Sequence, residues 1–93
     1  MVKHIVLFNL KPELDKDASV AFIAQLLEPL VGKIPGLLHL EVARTYQGAD
    51  FVLYSEFESK QALELYADHP LHVAAKDQFF HMLHSRYAGD YQL

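Results

Sequence analysis

The sequence contains no cysteine, which excludes a disulfide framework, a thiolate nucleophile and a cysteine-based metal site. Its four glycines stand singly between segments and form no phosphate-binding loop. The serines lack the context of a nucleophile elbow, so serine hydrolase chemistry is not expected. The apolar run at the N-terminus is far too short to span a bilayer, and no secretory cleavage signal accompanies it. These absences predict a cytoplasmic protein.

Positive charge is also in short supply. Eight lysines and arginines stand against twelve acidic residues, which gives a net charge of -4. Such a chain repels phosphate backbones, and no basic stripe interrupts the pattern, so nucleic acid is not expected as a partner. Apolar residues make up 52% of the 93 residues. One domain of this size buries a modest share of its surface, so some of these apolar residues are expected to be buried in a subunit interface.

The hydrophobic pattern predicts alternating strands and helices. The segment VKHIVLFNL is a nearly continuous apolar strand that places Val2, His4, Val6 and Phe8 on one face and Ile5 and Leu7 on the other. Asp15 or Asp17 caps a helix through ASVAFIAQLLEPL, in which Pro29 kinks or shortens the last turn. The apolar stripe of this helix consists of Phe22, Ile23, Leu26, Leu27 and Leu30.

The second half of the chain continues the pattern. The strand LLHLEVARTY, with Leu38, Leu40 and Val42 alternating, joins the strand FVLYSEFE through a short QGAD turn, which favours a hairpin. Ser59 caps the helix KQALELYAD, a last helix runs from Pro70 to about His84, and the strand YAGDYQL ends the chain. The predicted fold is therefore α+β, ferredoxin-like β-α-β-β-α-β with a four-stranded antiparallel sheet and helices on one face.

The other face of this sheet would carry apolar side chains without a cover. Ile5 and Leu7 of the first strand share it with Val52 and Tyr54 of the third. A second identical sheet is the simplest cover for such a surface. We therefore expect a homodimer that associates through the sheet face opposite the helices.

The stretch DHPLH combines helix-start signals with histidine chemistry. His69 is expected at the N-cap and Pro70 at the first helical position, which puts His72 in the first turn on the core side. The positive end of the helix dipole and partial burial both favour a neutral His72. A neutral imidazole suits a general base that takes a proton α to a carbonyl. His4 could orient His72 or polarise the carbonyl, and Tyr66 could donate a hydrogen bond to the enolate oxygen.

The segments VKHIVLFNLKPE, GKIPGL, EFESKQALELYADHPLH and GDYQ resemble the stress-responsive A/B barrel (Dabb) family over essentially the whole chain, residues 1–93. The resemblance implies a dimeric α+β barrel. A plant branch looks like polyketide cyclases, which close a poly-β-keto chain without metal or organic cofactor. By that resemblance the reactive pair is His4 and His72, assisted by Tyr66. The implied ligand pocket comprises Val6, Phe8, Phe22, Ile23, Leu26, Leu53 and Phe79.

Two functional hypotheses remain open on the sequence. The first is a cofactor-free cyclase- or lyase-like enzyme that acts on a small carbonyl compound through His72. The second is a non-catalytic homodimer that binds a small apolar ligand or has a stress-protective role, with His72 satisfying a buried polar group. A haem-dependent relative would need a proximal ligand and a longer chain, so it is set aside. Asp77, His81 and His84 are better explained as a solvated face than as a metal site.

Overall fold

The computed structural model describes residues 1–93 and contains four strands and three helices. Their order is β1 (Val2–Leu10), α1 (Lys16–Leu27), β2 (Leu37–Arg44), β3 (Phe51–Phe57), α2 (Lys60–Asp68), α3 (Pro70–Phe79) and β4 (Leu83–Gln92). The strands form one antiparallel sheet in the order β2-β3-β1-β4. The predicted ferredoxin-like arrangement is confirmed. No helix combines the length and hydropathy needed to cross a membrane.

The core lies between the helices and one face of the sheet. The alternation of β1 resolves the two faces, since Val6 is 1% exposed and its neighbour Leu7 is 39% exposed. Ile23 and Leu27 of α1 are fully buried against the inner face. On the outer face Ile5, Val52 and Tyr54 are only partly buried. The single chain therefore leaves a partly apolar sheet face open to solvent.

The helix boundaries follow the capping signals of the sequence. Asp15 is the N-cap of α1 and its carboxylate accepts a 2.8 Å hydrogen bond from the Ala18 N–H. Ser59 caps α2 in the same way, accepting from the Ala62 N–H at 3.1 Å. Pro29 lies in a 3₁₀ turn, Glu28–Leu30, that directly follows α1. Because proline has no N–H to donate, the last turn tightens as predicted.

Two expectations about buried stripes are wrong in detail. Leu38 is 44% exposed, while the preceding Leu37 is buried. The pairing of β2 with β3 shifts register between Leu37 and His39, and such a bulge reverses which side chains face the core. On α1, Phe22 is 39% exposed. It lies at the edge of the apolar stripe, whose centre is formed by Ile23 and Leu27.

The last helix is shorter than predicted. It ends at Phe79, is followed by a 3₁₀ turn at Phe80–Met82, and gives way to β4 at Leu83 rather than at Tyr87. β4 pairs with β1 along its whole length, from Leu83 opposite Leu10 to Gln92 opposite Val2. Ladder hydrogen bonds to a central strand therefore take precedence over the helical pattern of residues 80–84.

Gly36 is the glycine on which the packing of α2 depends. It precedes β2 with a φ of +84°, and a Cβ placed there would lie 2.5 Å from the Cβ of Ala62. Gly32 has a similar φ of +87°, but a Cβ added to it would have no other atom within 4 Å. Only glycine meets both the backbone and the space requirement at position 36.

We expect Gly36→Ala to lower the free energy of unfolding by about 2–4 kcal/mol, the sum of left-handed backbone strain and overpacking. Gly32→Ala is the matched control and should cost only about 1 kcal/mol, because it adds the strain without the clash. Urea titration followed by circular dichroism measures both. Equal losses for the two variants would contradict the proposed contact with Ala62.

Candidate functional site

A cavity of about 720 Å³ opens between α2, α3 and the β1–β4 half of the sheet. Its size falls in the usual range for small-molecule sites, roughly 300–1,000 Å³. Nineteen residues line it, of which 11 are hydrophobic. The cavity exists because the helices cover β1 and β3 while β4, at the sheet edge, stays exposed from His84 onward. This arrangement is suited to a largely apolar ligand that meets a few polar groups.

His72 lies in the first turn of α3 and lines the cavity. Its Nδ1 is 3.1 Å from the carbonyl oxygen of Ala67. A carbonyl only accepts, so Nδ1 carries the proton, and in the neutral ring Nε2 keeps its lone pair. Partial burial lowers the pKa of His72, and the nearby charges of Lys76 and His4 lower it further, against the opposing effect of the Ala67 carbonyl. These effects together favour the neutral form of the His72 imidazole.

Tyr66 lies directly beside His72. Their ring centroids are 4.1 Å apart with planes inclined by 30°, and the Tyr66 ring also packs edge-on against Phe57 at 5.0 Å. Tyr66 is 2% exposed, lines the cavity, and its hydroxyl is buried without a hydrogen-bond partner. Burial raises the pKa of the phenol, so it remains a donor. A buried hydroxyl without a partner costs about 1–3 kcal/mol.

His4 reaches the same cavity from β1, where its side chain is 15% exposed. Its Nδ1 contacts the carboxylate Oδ1 of Asp90, the residue directly opposite on β4. A carboxylate only accepts, so this contact also fixes the proton on Nδ1. The other ring nitrogen, Nε2, is not part of the contact. Asp90 thereby orients the His4 ring.

The structure brings the three catalytic candidates predicted from the sequence to one cavity. The suggested contact in which His4 orients His72 is not present. No hydrogen bond joins His4 to His72, since each imidazole Nδ1 has its own partner. The main chain at Ala67, rather than His4, orients His72. Neither ring is sealed in the packed core, because both line the open cavity.

The expected ligand contacts divide into two groups. Val6, Phe8, Leu53 and Phe79 line the cavity. The three expected contacts on α1 do not: Ile23 is 0% exposed within the core and Phe22 faces outward, while Leu26 packs at the edge of the core. The structure separates them from the cavity because α1 packs mainly against β2, on the far side of the sheet from β4, and contributes only Leu27 to the lining.

Five charged residues of the cavity were not predicted from the sequence: Lys60, Glu64, Lys76, Arg86 and Asp90. Lys76 is one helical turn from His72, a spacing that the sequence shows. Asp90 and Arg86 can be placed in the cavity only from the register in which β4 pairs with β1. The predicted helix, which ran to about His84, left that register undetermined. Asp90 does lie in GDYQ, one of the segments on which the family resemblance rests.

No group of three histidine, aspartate or glutamate side chains is arranged to hold a metal ion. Asp77, His81 and His84 lie on α3, on the following 3₁₀ turn and on β4, respectively. The change from helix to strand removes the common helical face on which their spacing depended.

Fold and cavity together define the class: a ferredoxin-like α+β domain with a histidine-bearing cavity between its sheet and the helices α2 and α3. Within that class, the chain belongs to the stress responsive A/B barrel domain family, whose model matches residues 2–93.

Solved structures extend this assignment. A dimeric protein of unknown function with a ferredoxin-like fold from Bacteroides fragilis is 33% identical, with a TM-score of 0.88 over 99% of this chain and 95% of that chain. A protein from Arabidopsis thaliana is 25% identical, with a TM-score of 0.87 over 100% and 95%. The hydroxynitrile lyase from Passiflora edulis has a TM-score of 0.84 over 99% and 92%, but at 17% identity it shows the fold alone. The comparison with curated proteins gives no match.

The lowered pKa of His72 has a consequence for stability. Below about pH 6.5, the ordinary histidine value, the unfolded chain binds a proton at this residue that the folded chain does not. Stability is therefore lost as the pH falls from the unfolded toward the folded pKa. We expect His72→Gln to lose less unfolding free energy than the wild type between about pH 7.5 and pH 5. Urea titrations at both values measure the difference.

His81→Gln is the control for this measurement, because His81 is exposed and does not line the cavity. Its loss of stability on acidification should match that of the wild type. If His72→Gln and His81→Gln behaved alike, the inferred environment of His72 would be incorrect.

Proposed function

We propose that this protein is a cofactor-free enzyme that removes a proton α to the carbonyl of a small, largely apolar compound, with His72 as the general base. The enolate formed in this way can be reprotonated or can attack a second carbonyl, as in a cyclase- or lyase-like reaction. The observation that carries the proposal is the position of His72 and Tyr66 side by side in the cavity lining, with the Tyr66 hydroxyl buried and without a hydrogen-bond partner.

The unpartnered hydroxyl supports a ligand-binding role because folding alone does not account for it. A phenylalanine would fill the same space without burying a donor. A ligand oxygen at hydrogen-bond distance would satisfy the hydroxyl and gain a strong interaction in a site with little water. The donor is worth most when that oxygen becomes negative, as a carbonyl oxygen does on enolisation.

The reaction can be written with the groups present. The lone pair of His72 Nε2 takes the α-proton, the C–H electron pair moves into the carbonyl, and the oxygen develops negative charge. Tyr66 donates its hydroxyl hydrogen bond to that oxygen. The Ala67 carbonyl, already bound to the His72 Nδ1–H, stabilises the imidazolium. Returning the proton to carbon regenerates the neutral ring.

His4 supplies a second group to the carbonyl end of the ligand. With Asp90 holding Nδ1, the Nε2 of His4 can accept a hydrogen bond when the ring is neutral and donate one when it is protonated. We assign it the polarisation of the reacting carbonyl, or of the second carbonyl in a condensation. Asp90 is a positioning residue in this scheme.

The alternative is a binding protein without turnover. The apolar lining that favours a substrate would hold an inert ligand equally well. This alternative predicts ligand binding that survives replacement of His72 and produces no proton exchange. The experiment below separates the two functions.

Proton exchange tests the proposal directly. We expect the protein to exchange the α-protons of methyl 8-oxononanoate, a neutral ketone, for deuterium in D₂O, measured by ¹H NMR. His72→Gln should reduce the rate to that of buffer. Tyr66→Phe should reduce it roughly 100-fold, as for loss of an oxyanion donor. It should also raise the unfolding free energy by about 1 kcal/mol, because the unpartnered hydroxyl is gone.

His81→Gln is the matched control and should exchange at the wild-type rate, since this histidine lies outside the cavity. Exchange that persists in His72→Gln would assign the base to another group. Exchange at the buffer rate by the wild type, with binding of the same ketone, would favour the non-catalytic alternative.

We further propose that the protein forms a homodimer through the open sheet face. Leu7 is 39% exposed there and lies opposite Val52 on one side and Tyr87 on the other. A second sheet packed on this surface would bury these side chains. The Bacteroides fragilis relative is described as dimeric, which supports the proposal.

Leu7→Glu should convert the dimer to a monomer, because the interface would then bury a charge without a partner. Size-exclusion chromatography with light scattering gives the mass, and circular dichroism checks that the variant is folded. Leu65→Glu is the control: Leu65 is 69% exposed on α2, away from the proposed interface, and its replacement should leave the mass unchanged. A folded dimer in Leu7→Glu would refute this interface.

A further inference from the structure

The cavity is positively charged in a chain that is otherwise acidic. Three of the eight lysines and arginines, Lys60, Lys76 and Arg86, line it, against two of the twelve acidic residues, Glu64 and Asp90. Asp90 is engaged with His4. Glu64 is one helical turn from Lys60 on α2, so these two charges offset each other. Lys76 and Arg86 are left as the uncompensated charges of the cavity.

Arg86 lies at one end of the cavity, and a run of aromatic rings leads from it to the Nζ of Lys76. The Nζ of Lys76 is 5.3 Å from the ring centroid of Phe80, which in turn lies 6.0 Å from the ring of Phe79. Phe79 is 6.3 Å from the ring of Phe8, and Phe8 is directly opposite Arg86 in the sheet. Neither cation forms an ion pair or a side-chain hydrogen bond within the chain.

This end is distinct from the one that holds the histidines. On β4, Asp90 lies opposite His4 and Arg86 opposite Phe8. Four residues along an antiparallel strand span roughly 13 Å. Between the two ends the same face of the sheet carries Val6 on β1 and Ala88 on β4. Along the sheet the cavity thus has a histidine end, an apolar middle and a cationic end at Arg86. Lys76 lies between the two ends on α3, one turn from His72, and its Nζ extends toward Phe80.

We infer that the ligand of this cavity carries an oxyanion, a carboxylate or a phosphate, that binds Lys76 and Arg86 while its carbonyl lies near His72 and His4. The guanidinium of Arg86 matches the paired oxygens of either group, and Lys76 adds a second charge. The apolar middle requires a chain of several carbons between the oxyanion and the carbonyl. The oxyanion site rests on the proposed function only for the position of the reacting carbonyl.

Binding separates this inference from the proposed enzymatic activity. The probes are 8-oxononanoate, its uncharged methyl ester, and octyl phosphate, each titrated into the wild-type protein by isothermal calorimetry. We expect the carboxylate or the phosphate to bind at least fivefold more tightly than the ester, as expected for partly exposed ion pairs. The preference should shrink between about 0.05 and 0.5 M NaCl, because salt screens such charges.

Variants locate the oxyanion. Lys76→Gln and Arg86→Gln should each weaken the charged probe roughly fivefold, and the double variant should remove the preference over the ester. Lys33→Gln is the matched control, since Lys33 is exposed and outside the cavity, and its affinities should equal those of the wild type. Tighter binding of octyl phosphate than of 8-oxononanoate would assign the natural group as a phosphate, and the reverse as a carboxylate.

Equal affinities of the wild type for the acid, the phosphate and the ester would overturn the oxyanion site, whether or not the ester undergoes exchange. Conversely, a salt-sensitive preference for a charged probe, without any α-proton exchange, would leave the oxyanion site standing and refute the general-base proposal.

Discussion

The pairing of β4 with the central strand β1 is the constraint on which the cavity depends. It places the Asp90 carboxylate opposite His4 and Arg86 opposite Phe8, and so fixes both charged ends of the cavity at once. Because β4 is the edge strand and lies beyond the cover of the helices, its inner face stays open. The same register that completes the sheet therefore creates the space beneath α3.

The cavity concentrates the groups that are unfavourable in a folded protein. The Tyr66 hydroxyl is buried without a partner, and His72 is held neutral against its ordinary pKa by burial. The unpartnered hydroxyl lowers the stability of the free chain, and the lowered pKa of His72 does so below about pH 6.5. A domain of 93 residues has a small reserve of stability for such groups. Their position together beside one open cavity is the feature that the proposed function explains.

The sequence was sufficient for the fold because its local signals agreed with one another. Asp15, Ser59 and the His69–Pro70 pair each start a helix, and the alternation in β1 assigns its faces. Prediction from the sequence was less reliable where a tertiary contact decides where an element ends or which way a side chain faces. The helix α3 ends at Phe79 because β4 pairs with β1, and no local signal between residues 80 and 84 marks that change. The bulge at Leu38 is of the same kind.

The candidate site shows the same division. The sequence could single out His4, Tyr66 and His72 as candidates because they match the family resemblance, because a histidine is unusual on an apolar strand face, and because His72 follows a helix-start motif; all three line the cavity. The α1 contacts failed because an apolar stripe does not tell which of its members face a cavity and which face the core. Arg86 and Asp90 could not be found, since their relation to β1 exists only in the assembled sheet.

The position of Lys76 links the two ends of the cavity. Its charge, one turn from the imidazole, helps to lower the pKa of His72, and this keeps the base neutral in the free protein. An oxyanion bound at Lys76 would neutralise part of that charge and so raise the basicity of His72 at the moment when the carbonyl arrives. A neutral ligand would leave the field of Lys76 in place. If His72 is the base and Lys76 binds the oxyanion, as proposed, recognition and basicity are coupled through one side chain. The proposal then favours a charged substrate over an uncharged one of the same length in the chemical step as well as in binding.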